Sequence, residues 1–130
     1  MGAWGTGSFE NDDAMDWLAE LDTIEPDDMT QIFLQAADNP GYLEAPASSV
    51  VVAAAEVIAA MNGSPAQEVP PEIVKWTTNR QASTQELKPL ALRALERVRK
   101  NSELKDLWLE ADGLNDWIAA IQDLQTRVGK

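Results

Sequence analysis

The chain has 130 residues, with 22 Asp and Glu against 10 Lys and Arg, a formal net charge of −12, and neither Cys nor His. A disulfide scaffold and thiolate chemistry are therefore closed to it, and the commonest general base and transition-metal ligand is missing. So acidic a chain is also a poor ligand for DNA or RNA, whose phosphates must be met by Lys and Arg. Its 45% apolar residues exclude a disordered chain. Area scaling predicts ~6,800 Å² of folded surface against ~20,600 Å² unfolded, enough burial for a self-sufficient core. The length predicts one domain over residues 1–130.

In chain order, residues 1–10 read as a glycine-rich entry loop. Asn11 is placed to cap a first helix, with Asp12 and Asp13 in the first turn and Ala14, Trp17, Leu18 and Leu21 on one face. Pro26 opens a second helix to about Asp38, with Met29, Ile32, Phe33, Ala36 and Ala37 inward. Asn39-Pro40-Gly41 is a turn. Pro46 starts a third helix that ends at Gly63, a favourable residue just past a helix end. This helix is apolar nearly all round and is predicted to be the central one.

A connector from Ser64 to Pro71 leads to a short helix around Glu72 to Thr78 that carries Ile73 and Trp76. After a polar loop, Glu86 to Lys100 is helical with Leu87, Leu90, Ala94, Leu95 and Val98 inward, and Pro89 falls in its first turn, where no hydrogen bond is lost. Asn101 or Ser102 caps the next helix, whose face is Leu104, Leu107, Trp108 and Ala111. Gly113 separates it from a last helix with a seam of Leu114, Trp117, Ile121, Leu124 and Val128, too short for a coiled coil. No strand pattern or internal repeat is visible. The expected fold is all-α, a single-domain bundle of about six to seven helices around a central apolar helix.

The most distinctive segment is the opening, MGAWGTGSFENDDAMDW, with Gly2, Trp4-Gly5, Gly7, Phe9, Glu10, Asp12, Ala14, Asp16 and Trp17. It resembles the start of domain-of-unknown-function family 4259, a family of small bacterial proteins. The stretch VVVAAAEVIAAMNG and the tail SELKDLWLEADGLNDWIAAIQDL resemble the family more loosely. The resemblance implies a bacterial cytosolic protein and carries no activity with it. The glycines do not form a nucleotide loop, since GAWGTG lacks the G-x-G-x-x-G spacing and no strand precedes it. They are expected to permit positive φ and to let Trp4 and Phe9 dock on the bundle as structural anchors.

No signal peptide is expected, because the first 20 residues have no Lys or Arg and no continuous apolar stretch. Val50 to Met61 is too short for a membrane span and carries Glu56. Gly2 and Thr6 match a myristoylation pattern, but the acids that follow would be repelled by anionic lipid. A cytoplasmic protein without membrane attachment is the expectation.

Residues 1–74 hold 14 acids and no Lys or Arg, whereas residues 75–130 hold 10 basic residues and 8 acids. Such asymmetry is a sign of partner binding, with solubility and helix-dipole complementarity as the plainer explanation. The candidate protein-binding face is Asp12, Asp13, Asp16 and Glu20 on the first helix. Carboxylates on one face could also hold Mg²⁺ or Ca²⁺, although the calcium-loop pattern is absent. Arg93, Arg97 and Lys100 form a basic stripe suited to pairing with the acidic half, within one molecule or between two.

Glu56 is a lone acid on an otherwise apolar helix. A buried carboxylate costs several kcal/mol unless paired or hydrogen-bonded. Glu56 is therefore read as a structural anchor, held by backbone amides of residues 2–9, by a Trp N–H, or by Arg80 or Arg93. Together these features point to a non-enzymatic, acidic protein-binding module of the bacterial cytosol. Its expected partner is a basic protein, such as a toxin to which it is the antidote. No cofactor is expected, and a homo-oligomer is compatible with the charge pattern. The alternative is a divalent-metal-dependent enzyme that uses the N-terminal carboxylates.

Overall fold

The computed structural model of the chain describes residues 5–79 and 85–130, and the regular elements in that range are all helical. They are α1 (Asp12–Ala19), α2 (Pro26–Ala37), α3 (Ala45–Met61), α4 (Pro71–Asn79), α5 (Leu87–Lys100), α6 (Glu103–Glu110) and α7 (Leu114–Val128), with a 3₁₀ turn at Leu21–Thr23. The fold is an all-α bundle of seven helices, and no described helix is long and apolar enough to cross a membrane.

The helix ends follow local chemistry. Asn11 caps α1 by accepting the Ala14 N–H at 2.8 Å, and the Ser102 hydroxyl caps α6 by accepting from Lys105 N at 3.1 Å. At the start of α2, where Pro26 needs no donor, the Asp28 carboxylate accepts the Glu25 N–H at 2.9 Å. Helix α3 stops at Gly63, which takes φ +82° while Ser64 N donates to Ala59 O and Gly63 N to Ala60 O. The first helix is shorter than its apolar pattern predicts. It ends at Ala19, and Leu21 is carried inward by the 3₁₀ turn instead.

The same hydrogen-bonded stop recurs after α6, with an inversion of roles. There Asp112, not the glycine beside it, takes the left-handed conformation (φ 60°), and Gly113 N closes the motif onto Trp108 O at 3.0 Å. Gly113 is required for a different reason. A Cβ on it would lie 2.8 Å from Cε3 of the Trp108 ring, which packs over the backbone there.

Helix α3 contacts each of the other six α-helices. Val51 to Ala59 are all buried, as an all-round apolar helix requires. Against it pack Leu18, Met29, Phe33, Ile73, Trp76, Leu95, Trp117, Ile121, Leu124 and Val128. Ala111, expected on the inner face of α6, is exposed because it is already the capping residue at that helix's end. The accessible surface of 6769 Å² is what the chain length calls for.

The junction between α3 and α6 is tied by polar groups. Glu103 N donates to Leu43 O at 2.8 Å, and the Glu103 carboxylate accepts the Ala45 N–H at 2.8 Å. Nearby, the exposed Tyr42 hydroxyl donates to Asp106 Oδ2 at 2.5 Å. That hydrogen bond, reinforced by neighbouring carboxylates, pushes the phenol up to about 12. Because the folded value lies above the ordinary one, the contribution of this contact is complete below pH ~10 and is lost as pH rises from there towards 12. The chain has one tyrosine. Its tyrosinate absorbance is therefore expected to rise about two pH units late, and Asp106→Asn to bring it back towards 10. An ordinary midpoint in the parent protein would contradict the contact.

An acid-rimmed groove and a buried ion pair

Two concave regions concern the residues singled out from sequence. The first is an open groove of about 550 Å³ between α1, α2 and α3. One wall is α1, which presents Asp13, Asp16, Trp17 and Glu20 at i, i+3, i+4 and i+7. The opposite wall is α2, with Ile32, Gln35 and Ala36, and Asn39 just past its end. The first turns of α3 supply Pro46, Ala47 and Val50 as an apolar end. These helical rows exist because 3.6-residue periodicity stacks such positions on one face.

The predicted acidic face is therefore split. Asp13, Asp16 and Glu20 line the groove, whereas Asp12 is exposed in the first turn away from it. No basic side chain among the described residues pairs with the three groove acids. Elsewhere the acidic and basic halves of the chain do pair, through Asp22–Lys75 at 3.4 Å, Asp38–Arg93 at 2.6 Å and Glu56–Arg127 at 2.7 Å. Trp17 lies among the groove acids, and its Nε1–H is buried without a hydrogen-bond partner. Leaving such a donor unsatisfied costs about 1–3 kcal/mol. Of the groove's features, sequence reasoning missed this indole, the α2 wall and the apolar end. Trp17 and Ile32 were read as core, and their incomplete burial is what leaves the trough open.

The second region is an open cleft of about 580 Å³ between the entry loop, the later part of the α3–α4 connector and α7, lined by Phe9, Glu10, Glu56, Asp123 and Arg127 among others. Glu56 sits at its inner edge, only 4% exposed. Ser8 Oγ donates to its Oε2 at 2.6 Å, and the Arg127 guanidinium grips both carboxylate oxygens at 2.7 and 3.0 Å. Arg127 also donates to Asp123 at 2.9 Å and to Ser64 O at 3.4 Å. These hydrogen bonds, above all those to Glu56, hold the guanidinium even further above the neutral range than usual.

The entry-loop partner of Glu56 is thus a hydroxyl where a backbone amide was expected, and its cation among the described residues is Arg127, not Arg93. Arg93 is engaged with Asp38; Arg80 and Trp4 lie outside the described residues. Phe9 is half-buried against the core. The glycines do not act as expected: neither Gly5 nor Gly7 takes positive φ. The Glu10 carboxylate lies over them and accepts the Gly7 N–H at 3.0 Å.

The basic stripe on α5 is spent inside the molecule. Arg93 holds Asp38, Arg97 donates to the Asn39 and Gly41 carbonyls at 2.7 and 2.6 Å, and Lys100 pairs with Glu96. Arg99, Gln125 and Lys100 around Glu96 hold its carboxyl down to about 2, the Arg99 hydrogen bond foremost. Among the described residues no three carboxylates converge in a set able to hold a metal ion.

The chain is thus a helical bundle whose conspicuous surface feature is an acid-rimmed apolar groove and whose buried ion pair is fully engaged in holding the fold. Its sequence matches, over residues 2–120, the family described as "Domain of unknown function (DUF4259)", and the chain belongs to that family. No curated protein and no solved structure matches it significantly.

Proposed function

We propose that this protein is a non-enzymatic protein-binding module of the bacterial cytosol whose partner is basic, an antidote to a basic toxin being the most specific form of that reading. The observation that supports it is the groove wall of α1, where Asp13, Asp16 and Glu20 stand beside apolar surface without a counter-ion among the described residues. Uncompensated acids cost the monomer self-repulsion, and a cationic partner relieves it. The Glu56 site favours a structural role, because its carboxylate is gripped by Arg127 and Ser8 and so ties the entry loop and α7 to α3.

The test is association with the basic product of a neighbouring gene. Binding is expected to slow as salt is raised, because exposed charges are screened beyond about 8 Å at physiological ionic strength. The charge reversal Asp13→Lys/Asp16→Lys/Glu20→Lys is expected to cut the association rate at least about tenfold. Rates indifferent to both would refute the proposal. A gain of several degrees in melting temperature with Mg²⁺, Mn²⁺ or Ca²⁺ would shift the reading to a metal-dependent enzyme.

A further inference from the structure

The groove has a more specific shape than an acidic patch, and its shape constrains what fits it. Three helices meet there: α1 with its capping residue Glu20 presents an i, i+3, i+4, i+7 row along the trough, and α2 presents Ile32, Gln35 and Ala36. Seven residues of helix rise about 10 Å, so the acids of α1 form a stripe parallel to the groove and roughly two turns long. Small side chains at Ala36 and Ala47 leave space for close approach between helix axes. An added helix lying in the trough would complete the packing as a neighbouring helix of the bundle does. An extended strand would find no open sheet edge among the described residues.

From this we infer that the groove receives one amphipathic, basic helix of a partner protein. Its aliphatic stripe rests on Ile32, Ala47 and Val50, and its Lys or Arg residues, repeated at three or four, face Asp13, Asp16 and Glu20. The inference rests on the binding-module reading and adds the form of the recognised element. Trp17 is the residue that reports occupancy. Its N–H has no partner among the described residues, and it stands amid the acids that would face the helix. A second copy of this chain is a poor occupant. Two molecules of net charge −12 repel, and the basic stripe of α5 is already engaged with Asp38, Glu96 and backbone carbonyls.

The test uses the full chain, ¹⁵N-labelled, and two capped peptides of about 15 residues built from Leu, Lys and Ala. One places Leu and Lys on opposite faces of a helix; the other has the same composition scrambled. The Trp17 indole resonance, assigned with Trp17→Phe, is expected to move with the amphipathic peptide. The scrambled peptide should bind at least about tenfold more weakly. Ala47→Tyr, which fills the groove without altering charge, should weaken the amphipathic peptide by a similar factor; circular dichroism checks that this exposed position leaves the fold intact.

Equal affinity for both peptides with an unmoved Trp17 resonance would overturn the helix inference while leaving an acidic docking surface in place. Binding of neither peptide, together with salt-indifferent association of the folded basic protein, would remove both readings. Saturation of the Trp17 shift by spermidine alone would replace the helix with a small organic cation. A dimer in sedimentation that Ala47→Tyr dissolves would replace it with a second copy of the chain.

Discussion

Trp76→Ala is expected to destabilise the protein by about 4–5 kcal/mol, which for a domain of this length lowers the melting temperature by roughly 12–20 °C. Trp76 is 1% exposed and is the largest fully buried side chain among the described residues. It projects from α4, a nine-residue helix that buries two side chains, Ile73 and Trp76. Its Nε1–H donates to Ile24 O at 2.9 Å, and Ile24 closes the 3₁₀ turn that replaces the end of α1. One side chain therefore joins α4, the turn and the core. Alanine removes the apolar volume and the carbonyl's donor together, and relaxation of a short helix recovers little of either. Trp76→Phe keeps most of the volume and should cost about 1–2 kcal/mol. The neighbour Val74, 48% exposed, is the control: its alanine variant should stay within about 0.5 kcal/mol of the parent. Urea unfolding of the three variants measures this, and a Trp76→Ala midpoint close to that of Val74→Ala would contradict the joint.

Trp76 was legible in the sequence as an inward residue of a short helix, and so was most of the fold. The caps at Asn11 and Ser102, the stop at Gly63 and the seam of Trp117, Ile121, Leu124 and Val128 are local matters, decided by residues within a turn or two of one another. A lone acid on an apolar helix announces burial, because an exposed face would carry more polar residues than Glu56 alone. What was not legible depends on how helices come together. Arg127 lies 71 positions from Glu56, on a helix whose only strong signal was its apolar seam. The one hint was that Arg127 adjoins the seam at Val128, four residues after Asp123.

The groove was hidden for the same reason. Trp17 and Ile32 have the spacing of core residues, and only the separation of α1 from α2 leaves them half-covered with Asp13, Asp16 and Glu20 along the rim. The entry-loop glycines show a different limit. Neither Gly5 nor Gly7 uses the positive φ that a glycine-rich run permits, because the turn that the chain adopts there decides it and composition does not.

Glu56→Ala is expected to cost about 3 kcal/mol, the lower end of the range for breaking a buried ion pair. The Glu56 side chain is 5% exposed and that of Arg127 15%, so neither charge can be fully rehydrated without movement of α7 or the entry loop. Without Glu56 the guanidinium keeps only the exposed carboxylate of Asp123 and the Ser64 carbonyl, which limits the loss. Glu56→Gln retains one acceptor but not the charge and should cost about 2 kcal/mol. Removing both charges is a different matter: Glu56→Met/Arg127→Met leaves no orphan ion and fills the space with apolar atoms. Glu56→Met or Arg127→Met alone leaves a buried charge orphaned and should cost about 3 kcal/mol. The double variant should be within about 1 kcal/mol of the parent, a coupling energy of about 5 kcal/mol in the double-mutant cycle. Amide exchange at Ser8 and Glu10 should accelerate in Glu56→Ala, since the Ser8 hydroxyl loses its acceptor and the entry loop its tie to α3. If the two single losses simply added in the double variant, or if the entry-loop amides exchanged no faster, Glu56 and Arg127 would not act as one clamp and the loop would be held by Phe9 and the Glu10 contacts instead.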